Sequence, residues 1–209
     1  MKISKYIHSC ILLEEGDEKL LIDPGLFSFV EEKVKPEDFA GIGTILITHE
    51  HVDHFYPEAL KIILKNNPKA EILANTNISS ALEKEGIGAM KFESGELERG
   101  KFLIQAISAE HGIIPAAIPP NSAFLINEEF LHPGDSLDSR LLELKVKTLA
   151  LPISAPWLRL VDALAFAKAL KPQELIPIHD GFVKDFFRER MYAMCENSLK
   201  ESNISFQAL

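Results

Sequence analysis

Thr48-His49-Glu50-His51-Val52-Asp53-His54 follows the apolar run Thr44-Ile45-Leu46-Ile47 and places three histidines and an aspartate within six consecutive positions. The chain has seven histidines in 209 residues, so a window this dense is no accident of composition. Its residue types are those of a metal cage. Ile45-Leu46-Ile47 reads as a buried strand. Residues two apart on extended backbone point to the same side, so His49 and His51 can reach one ion while Glu50 faces away. Pro57 to Leu64 has a proline start and helical periodicity, so the chain turns between Asp53 and Pro57. Asp53 and His54 then lie on that turn, free to face a second ion beside the first. Imidazoles with few carboxylates suit zinc and its neighbours in the transition series better than calcium or magnesium.

The other four histidines are His8, His111, His132 and His179. Most of them stand where an apolar run stops. Phe102 to Ser108 precedes Glu110-His111-Gly112, Leu175 to Ile178 precedes His179-Asp180-Gly181, and Phe130-Leu131 precedes His132-Pro133-Gly134-Asp135. Each pattern puts a ligand-type side chain at a strand end where the backbone turns on glycine.

With these residues in view, the chain resembles the metallo-β-lactamase superfamily. Asp23 in Leu20-Leu21-Ile22-Asp23-Pro24-Gly25 matches the first motif of that superfamily, and His49, His51, Asp53 and His54 match the second. His111, Asp135 and His179 match the third, fourth and fifth. The opening Ile7-His8-Ser9-Cys10, the stretch from Pro152 to Trp157 and the short length are similar to the compact bacterial group that includes the ascorbate-6-phosphate lactonases. The resemblance implies an α/β fold, a four-layer αβ/βα sandwich, and two divalent transition-metal ions, with zinc ahead of manganese, iron or nickel. It assigns His49, His51 and His111 to one ion, Asp53, His54 and His179 to the other, and Asp135 to a bridge between them. Asp23 would bond a ligating histidine or a loop amide, or form the turn before Pro24-Gly25, or both.

The activity implied is hydrolysis by a metal-bound hydroxide, because two ions about 3.5–4 Å apart lower the pKa of water and polarise the oxygen under attack. Asp53 joins the catalytic set. His8 and His132, extra to the ligand series, are candidates for substrate contact or for proton donation to a leaving group. Trp157, the only tryptophan, either walls the pocket or packs. Cys10 reads as a core residue. A lactone or ester of a small polar metabolite is the expected substrate, with a phosphodiester as runner-up and Arg159, Lys184 and Arg188 as its phosphate-binding candidates. A metal-stabilised interaction scaffold is the non-catalytic alternative. The redox branch of the superfamily carries a glutamate where this chain has His51.

Composition narrows the range of partners. At 209 residues and 46% hydrophobic content, the expectation is one domain over 1–209, too short for the added domains of the nuclease and flavodiiron branches. A net charge of −9 disfavours binding to nucleic acid. Ile11-Leu12-Leu13 is too short for a signal peptide and no segment is long enough to span a membrane, so a cytoplasmic location is expected. Two cysteines are no disulfide framework. A small-molecule substrate is the expected partner, and self-association stays open.

Along the chain, Ile3 to Leu13 and Lys19 to Asp23 read as a hairpin closed near Glu15-Gly16-Asp17. Ala70 to Ala74, Phe102 to Ser108, Ser122 to Ile126 and Thr148 to Leu151 read as strands. Helices are expected near Pro57 to Lys65, Ser79 to Glu85, Leu158 to Leu170 and Val183 to Lys200, with a closing strand from Ile204 to Ala208.

Overall fold

The run that precedes the histidine cluster is the middle of a sheet. In the computed structural model, which describes residues 1–209, β4 (Thr44–Ile47) is buried along its whole length and lies between β3 (Glu18–Ile22) and β5 (Glu71–Ala74), parallel to both. A strand covered on both faces reads as a continuous apolar run, as this one does. β1 (Lys2–Lys5), β2 (Ile11–Glu15) and β6 (Met90–Lys91) complete a six-stranded sheet in the order β1-β2-β3-β4-β5-β6.

The second sheet has seven strands: β7 (Gly95–Arg99), β8 (Phe102–Ala109), β9 (Asn121–Ile126), β10 (Phe130–His132), β11 (Thr148–Pro152), β12 (Glu174–Ile178) and β13 (Ser205–Phe206). Pairing is antiparallel from β7 to β10 and parallel from β10 to β13.

Alternation along the strands builds the layers. Ile11, Leu13, Leu20, Ile22 and Leu46 face the second sheet and pack with Phe102, Ile104, Phe124, Ile126 and Ile176. Their neighbours Leu12, Leu21, Ile45 and Ile47 face the other way, onto α1 (Pro57–Asn66) and α2 (Thr76–Lys84) through Leu60, Ile63, Ile78 and Leu82. On the far side Leu125, Leu131, Leu149, Leu151 and Leu175 pack against α3 (Leu160–Leu170) and α4 (Asp185–Lys200) through Ala163, Ala167, Met191 and Cys195. Three apolar layers between helices, sheet, sheet and helices are the four-layer αβ/βα sandwich.

Several boundaries differ from the sequence reading. The stretch from Ile3 to Leu13 is two strands, not one. A turn from Tyr6 to Cys10, closed by the Tyr6 N–H donating to the Cys10 carbonyl at 2.8 Å, folds β1 back on β2. The hairpin at Gly16-Asp17 then joins β2 to β3. α2 starts three residues earlier than expected because the Asn75 side chain caps it, accepting the Ile78 N–H at 3.1 Å. β7 escaped notice because Gly-Glu-Leu-Glu-Arg is largely exposed and lacks apolar alternation. The closing strand shrinks to Ser205–Phe206.

The loop after β3 is pressed onto the turn of the histidine cluster. The Leu26 N–H donates to the Val52 carbonyl at 2.8 Å, and a Cβ placed on Gly25 would lie 1.9 Å from the Asp53 carbonyl oxygen and 2.4 Å from the His54 nitrogen. Only glycine fits there. Gly25→Ala is expected to cost about 1–3 kcal/mol of stability through overpacking, read as a lower urea midpoint at unchanged slope. An unchanged midpoint would show that the turn yields freely.

Candidate metal centre

Every ligand-type residue of the sequence reading stands just beyond the end of a strand, at one edge shared by the two sheets. Asp23 follows β3, the cluster from His49 to His54 follows β4, His111 follows β8, Asp135 follows β10 and His179 follows β12. Carboxyl ends of parallel strands are where α/β sheets place their sites. Two of these positions, Asp23 (φ 49°) and His179 (φ 66°), are held in the left-handed region by residues other than glycine, as is His8 (φ 67°) in the turn between β1 and β2. That conformation costs free energy and persists only where the surroundings enforce it.

The side chains gather in two adjacent groups. One holds His49, His51, His111 and Asp135, the other His8, Asp53, His54 and His179, with the candidate ligand atoms of each group within 4.8 Å of one another. In the first, His51 Nδ1 lies 3.1 Å from His49 Nε2 and 3.2 Å from His111 Nε2. In the second, His54 Nε2 and His179 Nε2 are 2.7 Å apart, and Asp53 Oδ2 lies 3.7 and 3.6 Å from them. Asp135 reaches both groups. Its Oδ1 is 2.6 Å from His179 Nε2 and 3.1 Å from His54 Nε2, and its Oδ2 is 3.5 Å from His111 Nε2.

The hydrogen bonds behind the rings set their tautomers. His111 Nδ1–H donates to the Gly112 carbonyl at 2.6 Å, and His179 Nδ1–H to the Ser154 carbonyl at 3.1 Å. His54 Nδ1–H donates to Asp23 Oδ2 at 2.7 Å, and His49 Nδ1–H to Thr48 Oγ1 at 3.0 Å. Thr48 Oγ1–H in turn donates to Asp23 Oδ2 at 2.7 Å. Each of these four imidazoles therefore turns Nε2 to the centre, the nitrogen that is free to bind a metal in the neutral ring.

Asp135 Oδ1 is buried with no hydrogen-bond donor in proper geometry, although two imidazole nitrogens crowd it. Ligand-type atoms crowded onto a buried oxygen outside hydrogen-bond geometry suit a shared cation. Nitrogen donors in the majority with two carboxylates fit a transition-metal ion.

Charge follows the same logic. Burial opposes ionisation of Asp135, yet the adjoining His179 and His54 hold its carboxyl well below the usual range. Asp53 is likewise lowered against the effect of burial, through the bond from His8 and the nearby His54. Burial, and then the repulsion of His54, pushes His49 well below the ordinary imidazole value; burial and then His111 lower His51. For His54 burial is outweighed by Asp135 and Asp23, and the ring is raised.

The extra residues find definite places. His8 is wholly buried behind Asp53. Its Nδ1 accepts the Gly181 N–H at 3.2 Å, so Nε2 carries the proton and donates it to Asp53 Oδ2 at 3.0 Å. Burial, then His179, lowers its pKa to about 4. A buried neutral ring orients Asp53 and cannot touch substrate, which corrects the expectation of a proton donor. His132 is also corrected. It is fully buried, its Nε2 bonds to the Ser9 carbonyl at 3.1 Å and its Nδ1 accepts the Gly134 N–H at 3.2 Å, so both nitrogens serve the fold and none faces the cleft. Trp157 does both things expected of it and one more: its indole lines the cleft, packs on Gly112 and donates to Asp135 Oδ2 at 2.9 Å.

The two groups open into a cleft of about 490 Å3. Beyond the ligand-type residues its walls are Phe27, Ile114, Pro115, Ala116, Pro156, Trp157 and Phe182. Arg159 and Arg188 pair with Asp162 and Asp185 and do not line it, and Lys184 lies in a separate groove beside Phe182. Sequence reasoning missed Thr48, Phe27 and Phe182. The two phenylalanines follow closely on Asp23-Pro24-Gly25 and His179-Asp180-Gly181, a position that would have marked them as rim residues.

Two packed sheets with paired His/Asp ligand groups at one edge define a metal-binding α/β protein, and comparison with known proteins agrees. A family model described as a β-lactamase superfamily domain matches residues 2–179. Protein Rv0786c of Mycobacterium tuberculosis is 32% identical over 190 residues, covering 88% of this chain and 85% of its own. A UPF0173 metal-dependent hydrolase of Archaeoglobus fulgidus is 31% identical over 198 residues, covering 86% and 83%. The solved structure of Igni18, a metallo hydrolase from Ignicoccus hospitalis, superposes with a TM-score of 0.74 at 19% identity over 99% of this chain and 94% of that one, a likeness of fold. The chain belongs to the metallo-β-lactamase superfamily, among its metal-dependent hydrolases.

Asp23 is the partner behind His54, so Asp23→Ala is expected to weaken zinc binding by roughly 10- to 100-fold. Competition with a chromophoric chelator measures this. Unchanged affinity would show that the carboxylate serves only the turn.

Proposed function

We propose that this protein hydrolyses the carbonyl ester or lactone bond of a small molecule with the help of two transition-metal ions. The observation that carries the reading is the pair of ligand groups sharing Asp135 at the floor of a cleft large enough for a small organic molecule. His49, His51 and His111 would hold one ion, Asp53, His54 and His179 the other, and Asp135 both. When bound, the ions supply Lewis acidity, polarising the scissile carbonyl and bringing the ionisation of water toward neutral pH.

The chain's own residues do the rest. The Trp157 N–H holds Asp135 Oδ2 on the side of His111, which leaves Oδ1 toward His54 and His179. His8 fixes Asp53, whose side chain is 16% exposed against 4% for Asp135. Asp53 is thus the carboxylate that both touches the centre and meets the cleft, and we assign it the acceptance of the proton lost by the attacking water. The sequence reading favoured a polar metabolite, with a phosphodiester second. The cleft has no lysine or arginine, so the ions themselves would be the only cations that a phosphate could meet there, and its apolar walls favour the ester.

The protein purified gently is expected to carry close to two zinc- or manganese-type ions per chain by elemental analysis. Chelation should abolish ester hydrolysis and lower Tm together, since metal binding and folding are linked, and readdition of zinc or manganese should restore both. His51→Ala should lower the metal content. A chain that stays metal-free when offered either ion at neutral pH overturns the proposal.

A further inference from the structure

Resting on that hydrolase reading, we infer that the substrate carries an apolar acyl or aryl group, held among Trp157, Ile114, Phe27 and Phe182 beside the ligand groups. Twelve residues line the cleft; five are ligand-type residues and the other seven are apolar or aromatic without a single charge. A pocket walled this way is stabilised by burying apolar surface of a ligand against it.

The arrangement is built. Phe27 and Phe182 meet edge to face with centroids 6.1 Å apart, and both stack against His8, at 5.1 and 5.7 Å. The ring that orients Asp53 therefore also seats the aromatic wall. Phe182 is half exposed at the mouth, an arrangement that exposes large apolar surface to water unless a ligand covers it. Across the cleft the indole of Trp157 sits 6.0 Å from the His111 ring, so an acyl group lying on it has its carbonyl at the ligand groups. No cationic side chain lines the cleft: Lys5 is buried against Asp180, Arg188 pairs with Asp185 and Arg159 with Asp162, and Lys184 lies in the adjoining groove that shares Phe27 and Phe182.

The test uses the full chain loaded with zinc and a series of p-nitrophenyl esters from acetate to octanoate, with bis(p-nitrophenyl) phosphate alongside. The expected result is a kcat/KM that rises roughly three- to fourfold per methylene until the cleft is filled, and little turnover of the phosphodiester. Phe182→Ser should reduce the octanoate-to-acetate ratio by roughly tenfold. Binding is read independently through the fluorescence of Trp157, the only tryptophan, on titration with alkyl hydroxamates of increasing length. Affinity that climbs with length supports the apolar site. Turnover and binding indifferent to length overturn it while leaving the metal-dependent hydrolase in place, and preference for the phosphodiester overturns the ester reading instead. Absence of turnover on every substrate, with metal bound and hydroxamate affinity still climbing with length, overturns the hydrolase reading and leaves the apolar site standing.

Discussion

The structure depends on one buried carboxylate. Asp23 lies at the end of β3 with no exposure to solvent, where an ionised group without donors would cost several kcal/mol. It finds three donors: the Thr48 N–H at 2.8 Å, the Thr48 hydroxyl at 2.7 Å and the His54 Nδ1–H at 2.7 Å. These bonds tie the ends of two neighbouring parallel strands together and aim His54 at His179 and Asp135, which arrive from the other sheet. One side chain thereby couples strand pairing in the first sheet to the geometry of a centre assembled by both. The left-handed backbone at Asp23 belongs to this device, since aspartate tolerates that region better than most residues.

Convergence of the ligands is a cost that the rest of the molecule offsets. His54 and His179 bring their Nε2 atoms to 2.7 Å of each other and both crowd Asp135 Oδ1, which is left without a hydrogen bond. Such a cluster survives only if its supports are stiffer than the repulsion within it. They are: each of four rings is anchored through Nδ1, the Gly25 contact locks the turn of the cluster, and the strands behind it are buried in three apolar layers. A bound cation turns the same preorganised repulsion into affinity.

Much of this was legible in the chain. The strand before Thr48, the turn at Asp53 and the helix from Pro57 are local features, fixed by an apolar run, a proline and a period of 3.6, and all three stand in the structure. The order of ligand-type residues at strand ends was legible for the same reason, because each strand announces itself in apolar residues and each stop in glycine. What failed to show was whatever depends on contacts between distant segments. His8 and His132 have the same chemistry as the ligands and also neighbour apolar runs, but their roles are set by Gly181 and Ser9, far away in sequence. Nothing local distinguishes an imidazole facing a cleft from one whose two nitrogens are both taken. β7 was hidden likewise, since an exposed strand carries no pattern beyond its pairing with β8.

The cleft walls show why apolar residues belong beside so polar a floor. Phe27, Phe182 and Trp157 keep water away from the ligand groups, and in a drier, less polarisable setting each charge interaction with a bound ion or a developing oxyanion strengthens. His8 joins the two roles physically, donating to Asp53 through Nε2 while its face supports Phe27 and Phe182. A wall that raises the electrostatic effect of the centre is therefore also a wall that favours apolar substrates, and the two properties cannot be altered separately. Replacing a rim phenylalanine with a charged group to admit an anion would hydrate the same carboxylates and imidazoles that the chemistry needs dry, so selectivity and reactivity are set together by the residues packed around one histidine.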